Sequence, residues 1–152
     1  MSRILLLSGG IDSLIAYYYL NRPQCLHMTG HSRYSNKELM TVKSLKKRHP
    51  EMELTILDTM SWLRRFEEED ANLPARNLHF VSAAAHFGDT IYLPCQKGER
   101  SIPDRTPEFV DSMSKVLSTL HGRKITIDLV FGDMTKQDMV SWYLSSKYPV
   151  ED

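Results

Sequence analysis

The chain has little of what usually identifies a protein by composition. It holds only two cysteines, Cys25 and Cys95, and they form no metal-ligand spacing and no disulfide framework. It has no excess of either charge: 19 basic residues balance 19 acidic ones. No global field therefore pulls it toward nucleic acid, and any such contact needs a local patch. No apolar run is long enough to span a bilayer, and nothing resembles a secretion signal. Repeats, low-complexity stretches and interdomain linkers are absent as well. What is left is 152 residues, enough to bury a core as a single domain over 1–152. The expected setting is soluble, reducing and cytoplasmic.

The stretch around which the rest is organised is Ile4 to Ser13, ILLLSGGIDS. Four apolar residues stop at Ser8, Gly9 and Gly10, and Asp12 and Ser13 open an apolar run from Leu14 to Leu20. The pattern predicts a buried strand, a tight turn and a helix start. Paired glycines let backbone approach a ligand, and the N–H groups of the next helical turn point at it, which suits phosphate or pyrophosphate. No lysine follows the glycines and no third glycine completes a dinucleotide fingerprint, so neither of those phosphate loops is present.

Strand-like and helix-like stretches alternate along the rest of the chain. Cys25–Thr29 reads as a strand, Gly30 to Asn36 as a polar loop, and 37–47 as a helix whose Leu39, Val42 and Leu45 recur at helical spacing. Its Lys43, Lys46, Lys47 and Arg48 read as a solvated face. A strand over 53–57 precedes Ser61, placed as the cap of a helix ahead of Trp62, Leu63 and Phe66. That helix is expected to end in a solvated acidic run, Glu67 to Asp70. Leu78 to Phe87 is small and apolar, a helix buried on the sheet, with Arg76 and Asn77 at its N-terminal mouth. A cation there opposes the helix dipole, which favours a role for Arg76 beyond surface decoration.

Strands are expected over 89–93 and 125–131. Thr106 and Pro107 signal the start of a helix, its apolar face drawn from Phe109, Val110, Met113, Val116, Leu117 and Leu120. Thr135 and Asp138 form a capping-box pattern for a last helix reaching about Lys147. Five strands alternating with helices predict an α/β fold, an open and mostly parallel sheet with helices on both faces in a three-layer, Rossmann-like domain. The loops after strands one, two and four then meet at one sheet edge, where ligands bind.

Among the other residues, the six histidines show no metal spacing, although His79 and His86 are placed to share a helix face. For Cys95 the sequence offers no paired histidine or second cysteine to support a nucleophile. Tyr17, Tyr18 and Tyr19 read as packing, as do Met134 and Met139.

Ser8-Gly9-Gly10-Ile11-Asp12-Ser13 after an N-terminal strand resembles the pyrophosphate loop of the ATP pyrophosphatase superfamily, of adenine nucleotide alpha-hydrolase-like fold. Pro74-Ala75-Arg76-Asn77 resembles the Pro-Gly/Ala-Arg-Asn motif of the 7-cyano-7-deazaguanine synthases within it. Ile102-Pro103-Asp104 and Thr135-Lys136 are similar to that family's later segments. The resemblance implies an ATP-dependent ligase of queuosine biosynthesis. Such an enzyme adenylates 7-carboxy-7-deazaguanine, releases pyrophosphate, takes up ammonia and, after a second adenylation, forms the nitrile. It also implies roles. Ser8, Gly9, Gly10, Asp12 and Ser13 cradle the pyrophosphate, with Asp12 toward Mg2+. Arg76 and Asn77 act at the phosphates or the deazaguanine, Asp104 accepts from the base edge, and Lys136 opposes developing phosphate charge. Asp12, Ser13, Arg76 and Lys136 are thus the catalytic candidates.

The sequence also departs from the family. The family's four zinc-binding cysteines have no counterpart, so ATP and Mg2+ are expected and zinc is not. His31-Ser32-Arg33 stands where the family has Tyr-Gly-Gln, and Arg105-Thr106 where it has Cys-Arg. The implied partners are the small-molecule acid and ammonia, with no membrane and no strong nucleic-acid signal. A homodimer that completes the pocket is compatible with the reading. A different acceptor acid, or a nucleotide-binding protein that has kept the loop without the chemistry, are the alternatives.

Overall fold

The computed structural model describes residues 2–8, 10–58, 60–70, 72–95 and 102–146. Its elements in chain order are β1 (Arg3–Leu6), α1 (Ile11–Tyr19), β2 (Gln24–Met28), α2 (Ser35–Arg48), β3 (Leu54–Leu57), a 3-10 turn (Ser61–Phe66), α3 (Arg76–Ala84), β4 (Thr90–Pro94), a second 3-10 turn (Pro103–Arg105), α4 (Pro107–His121), β5 (Thr126–Val130) and α5 (Lys136–Ser145). The five strands form one parallel sheet in the order β3-β2-β1-β4-β5. Parallel strands need crossovers, and the helices supply them.

Strand periodicity sorts the core into two layers. Leu5 and Leu7 face one side of the sheet, where α1 contributes Leu14, Ile15 and Tyr17, α2 contributes Val42 and Leu45, and α5 contributes Met139 and Tyr143. Ile4 and Leu6 face the other, against Val81 and Ala84 of α3 and Val110, Met113 and Leu117 of α4. Burial on both faces explains why β1 reads as an unbroken apolar run rather than an alternation. The chain runs outward from β1 to β3, then recrosses to β4 on β1's other side. That reversal between β1 and β4 opens a crevice at the carboxyl edge.

Several expectations change in detail. Ser61 is the first residue of a short 3-10 turn rather than the cap of an α-helix; the cap position is Met60, which makes no side-chain cap bond. Trp62 and Phe66 consequently stay exposed. The acidic run is not wholly solvated: the Glu67 carboxylate accepts from the Arg33 backbone N–H at 3.0 Å and from its Nε at 3.1 Å. The loop after β2 is less open than its polarity predicts, with His31, Ser32 and Ser35 all buried. Helix α2 starts two residues before the expected Lys37, at Ser35, whose Oγ accepts from the Ser32 N–H at 2.9 Å. On α4 the apolar face is narrower than predicted, Val116 and Leu120 being exposed. Leu78 and Phe87 are exposed at the two ends of the α3 segment. His79 and His86 share no face; His79 packs edge-on to Trp62 and His86 to His121. Lys147, the expected end of the last helix, lies outside the described residues.

Candidate active site

A cleft of about 270 Å³ lies at the carboxyl edge. Ser8, Asp12 and Ser13 line it from the first loop and α1, His27 and His31 from β2 and its loop, Glu38 from α2, Arg76, Asn77 and Phe80 from α3, Pro94 from the end of β4 and Arg105 from the second 3-10 turn. The first two of the three loops expected to meet there do so; of the third, residues 96–101 lie outside the described residues, and Arg105 beyond them reaches the cleft.

The first loop is closed by its own serines. Ser13 Oγ accepts from the Ser8 N–H at 2.9 Å and lies 2.9 Å from Ser8 Oγ. Ser13 is therefore buried, and its hydroxyl fixes the curvature of the loop. Gly10 precedes α1 in extended conformation and provides no side-chain cap, so the helix start offers peptide N–H groups as the attraction for an anion. Gly9 lies outside the described residues. Asp12 forms an ion pair with Lys136 Nζ. This pair ties the start of α1 to the start of α5, where Thr135 and Asp138 make the reciprocal capping box expected of them. Lys136 thus reaches the loop through Asp12.

The opposite wall is built on α3. Ala75 precedes it with φ 61°, a left-handed conformation costly for any residue with a Cβ. That backbone turn presents Arg76 and Asn77 to the cleft. Asn77 is anchored twice: its N–H donates to Asp104 Oδ2 at 2.9 Å and its Nδ2 to Asp104 O at 3.2 Å. Asp104 thus caps α3 from a distant segment. Arg76 lies over the Phe80 ring at 5.9 Å. Burial, and then the nearby Arg105 guanidinium, push its pKa below the ordinary arginine value, although a guanidinium stays protonated in proteins.

Sequence reasoning missed the middle of the cleft. His27, Glu38 and Phe80 carry no motif, His31 is noted only as standing where the family has Tyr-Gly-Gln, and none of the four is singled out as a site residue. Gly30, at φ 88°, sets the turn that places His31; a Cβ there would strike the Asp58 carboxylate. Burial, and then Arg76 and His27, lower the His31 pKa to about 4, so the ring is neutral near pH 7. Burial raises the pKa of Glu38, while Arg76 counteracts the shift. The signal available in sequence was position alone: His27 and His31 lie at or just beyond the carboxyl end of β2, and Glu38 in the first turn of the helix that follows.

A family profile described as "Queuosine biosynthesis protein QueC" matches residues 67–152, more than half the chain. The chain belongs to the QueC family. The QueC match spans Arg76, Asn77, Asp104 and Lys136, whereas the glycine loop precedes it. Similar solved structures cover that loop. One is described as a "predicted subunit of tRNA methyltransferase" from Methanocaldococcus jannaschii, with TM-score 0.65 and 13% identity over 99% of this chain and 77% of that one. Another is the U34-tRNA thiolase NcsA from Methanococcus maripaludis with its 4Fe-4S cluster, with TM-score 0.58 and 13% identity over 98% of this chain and 59% of that one. At such identity the likeness is one of fold. No curated protein matches the chain by sequence. Among the described residues no helix is long and apolar enough to cross a membrane.

Proposed function

We propose that this QueC family member activates a carboxylate with ATP and converts 7-carboxy-7-deazaguanine to the nitrile with ammonia. The observation that carries the reading is one cleft lined on one side by the serine-closed loop at the start of α1 and on the other by Arg76 and Asn77. A transfer of the adenylyl group needs those two walls: one for the leaving pyrophosphate and one for the attacking acid.

In the first step a carboxylate oxygen attacks the α-phosphorus, and the bond to the bridging oxygen of pyrophosphate breaks. The N–H groups opening α1, with Ser8 and Ser13, receive the charge that accumulates on the leaving group. Lys136 adds a cation held by Asp12. Mg2+ is commonly bound through one or two carboxylates and the phosphates themselves. Asp12, a carboxylate beside the loop, fits that donor pattern, and Mg2+ there supplies charge neutralisation. Arg76 orients the carboxylate of the acid, and Asp104, which does not itself line the cleft, acts through Asn77, which it keeps in place beside Arg76. Ammonia then displaces AMP to give the amide; a second adenylation at the amide oxygen lets the nitrile form as AMP departs. Each of the two cycles consumes one ATP, two in all, and leaves one carboxylate oxygen on its AMP.

The test is pyrophosphate release from ATP and magnesium with and without the acid and ammonium, with product mass recorded. Acid-dependent release with a nitrile product supports the reading. Release that is indifferent to this acid but dependent on another one points to a different acceptor.

A further inference from the structure

Two buried ring nitrogens in the wall of the cleft have no hydrogen-bond partner: His27 Nε2 and His31 Nδ1. Both rings are almost wholly buried, and both residues line the cleft. An unsatisfied buried polar atom is costly and calls for an explanation.

For His27 the chemistry of the orphan atom is defined. Its Nδ1 lies 2.7 Å from the Leu7 carbonyl oxygen. A carbonyl can only accept, so Nδ1 carries the proton and donates. Burial lowers the His27 pKa and keeps the ring neutral, and a neutral imidazole with its proton on Nδ1 has a bare lone pair on Nε2. The atom is therefore an acceptor that needs a donor. His31 lies close enough to His27 to feel its charge, and its ring packs edge-on to Phe80 with centroids 4.9 Å apart. These imidazoles do not read as a metal site, since among the described residues no group of three His, Cys, Asp or Glu side chains could hold an ion.

The position of His27 gives the orphan acceptor a function. Leu7, to which it is bonded, directly precedes Ser8, whose N–H is held by Ser13. Apolar Leu6, Leu26 and Met28 line the same cleft. A nucleotide anchored by its phosphates on the loop has its uncharged half to accommodate beside it, and that half carries N–H and O–H donors.

We propose that His27, with His31 beside it, forms a subsite that reads the nucleoside half of the bound nucleotide by accepting a hydrogen bond from it. This rests on the reading that the loop holds the phosphates of ATP. The donor is either the adenine 6-amine or a ribose hydroxyl. In the first case a purine with a carbonyl at position 6 is rejected, because it sets a lone pair against a lone pair.

Titration calorimetry on the full chain separates the sources. The probes are ATP, the purine riboside triphosphate lacking the 6-amine, 2′-deoxyATP and 3′-deoxyATP, each measured on the unaltered protein and on His27→Phe. One analogue is expected to bind the unaltered protein about tenfold more weakly than ATP, with the difference collapsing in His27→Phe, which keeps a ring but has no acceptor. Because Phe also removes the donor to Leu7, His27→Gln is run in parallel, and histidine 15N NMR of the unaltered protein should show the Nε2 resonance moving on addition of ATP. ATP binding with every analogue within about twofold of it overturns the subsite and leaves the nucleotide reading standing. A discrimination that survives intact in both variants overturns the role of His27. Failure of ATP itself to bind overturns both readings.

Discussion

The helices whose side chains line the cleft begin differently from the two whose side chains do not, Lys136 of α5 reaching the loop only through Asp12. Helices α4 and α5 start with their own threonine caps, Thr106 accepting from the Phe109 N–H and Thr135 from the Asp138 N–H. Helices α1, α2 and α3, which place Asp12, Glu38 and Arg76 in the cleft wall, start at Gly10, Tyr34 and Ala75 with no side-chain cap from those residues. A cap contributes about 1 kcal/mol of stability. Omitting it where the chain meets the cleft leaves peptide donors for other uses: Asp104 takes one at α3, and at α1 they are directed to phosphate in the proposed chemistry.

The contrast predicts a graded set of outcomes. The largest belongs to Asp12→Ala, which removes the carboxylate beside the loop and the partner of Lys136, and should lower pyrophosphate release by roughly a hundredfold or more with the fold retained by circular dichroism. Arg76→Ala should cost about a hundredfold in kcat/KM for the acid, whereas Arg76→Lys, a point charge without the planar fork, should recover only part of it.

Gly10→Asp sharpens the comparison most. Gly10 has an extended φ of −74° and an added Cβ meets nothing nearer than Ser8 Oγ at 3.8 Å, so the side chain is accommodated. It supplies the missing cap, raising stability by about a few tenths of a kcal/mol, yet it puts a negative charge where phosphate is proposed to sit. Calorimetry should show ATP binding weakened by about tenfold or more. A stabilised variant with undiminished binding would break the comparison. Thr106→Ala is its counterpart at α4: a loss of about 1 kcal/mol in denaturant unfolding with pyrophosphate release unchanged.

The smallest effect is in pH. Burial, with Arg76 and His27 nearby, pushes the His31 pKa down to about 4 in the folded chain, from an ordinary histidine value of 6.5. Between those values the unfolded chain binds the additional proton, so stability is complete above about pH 6.5 and falls as pH drops toward 4. Unfolding midpoints at pH 7 and pH 5 should differ less in His31→Gln than in the unaltered protein.

Much of the fold was legible because its signals are local. The apolar run of β1, the Thr106-Pro107 start and the Thr135–Asp138 box each depend on a few neighbouring residues, and each element formed as expected. The ends of the cleft were legible for the same reason, as contiguous motifs at Ser8 to Ser13 and at Arg76 and Asn77. Its middle was not. His27 and His31 become notable only when burial leaves their nitrogens unpartnered. Glu38 reaches the cleft from a helix whose sequence reads as a solvated basic face. Likewise the bond between Asp104 and Asn77 spans 27 positions, and no local pattern announces it. The short Ser61–Phe66 turn misled for the opposite reason, since a cap-like serine and apolar neighbours do not show that a helix will propagate.

The central claim is that a carboxylate oxygen of the acid attacks the α-phosphorus of ATP. It is tested most directly by supplying 7-carboxy-7-deazaguanine labelled with 18O in its carboxylate, together with ATP, magnesium and ammonium, and weighing the AMP. The account predicts that 18O appears in AMP, one atom for each ATP consumed. Unlabelled AMP alongside turnover, or ADP in place of AMP, would contradict it.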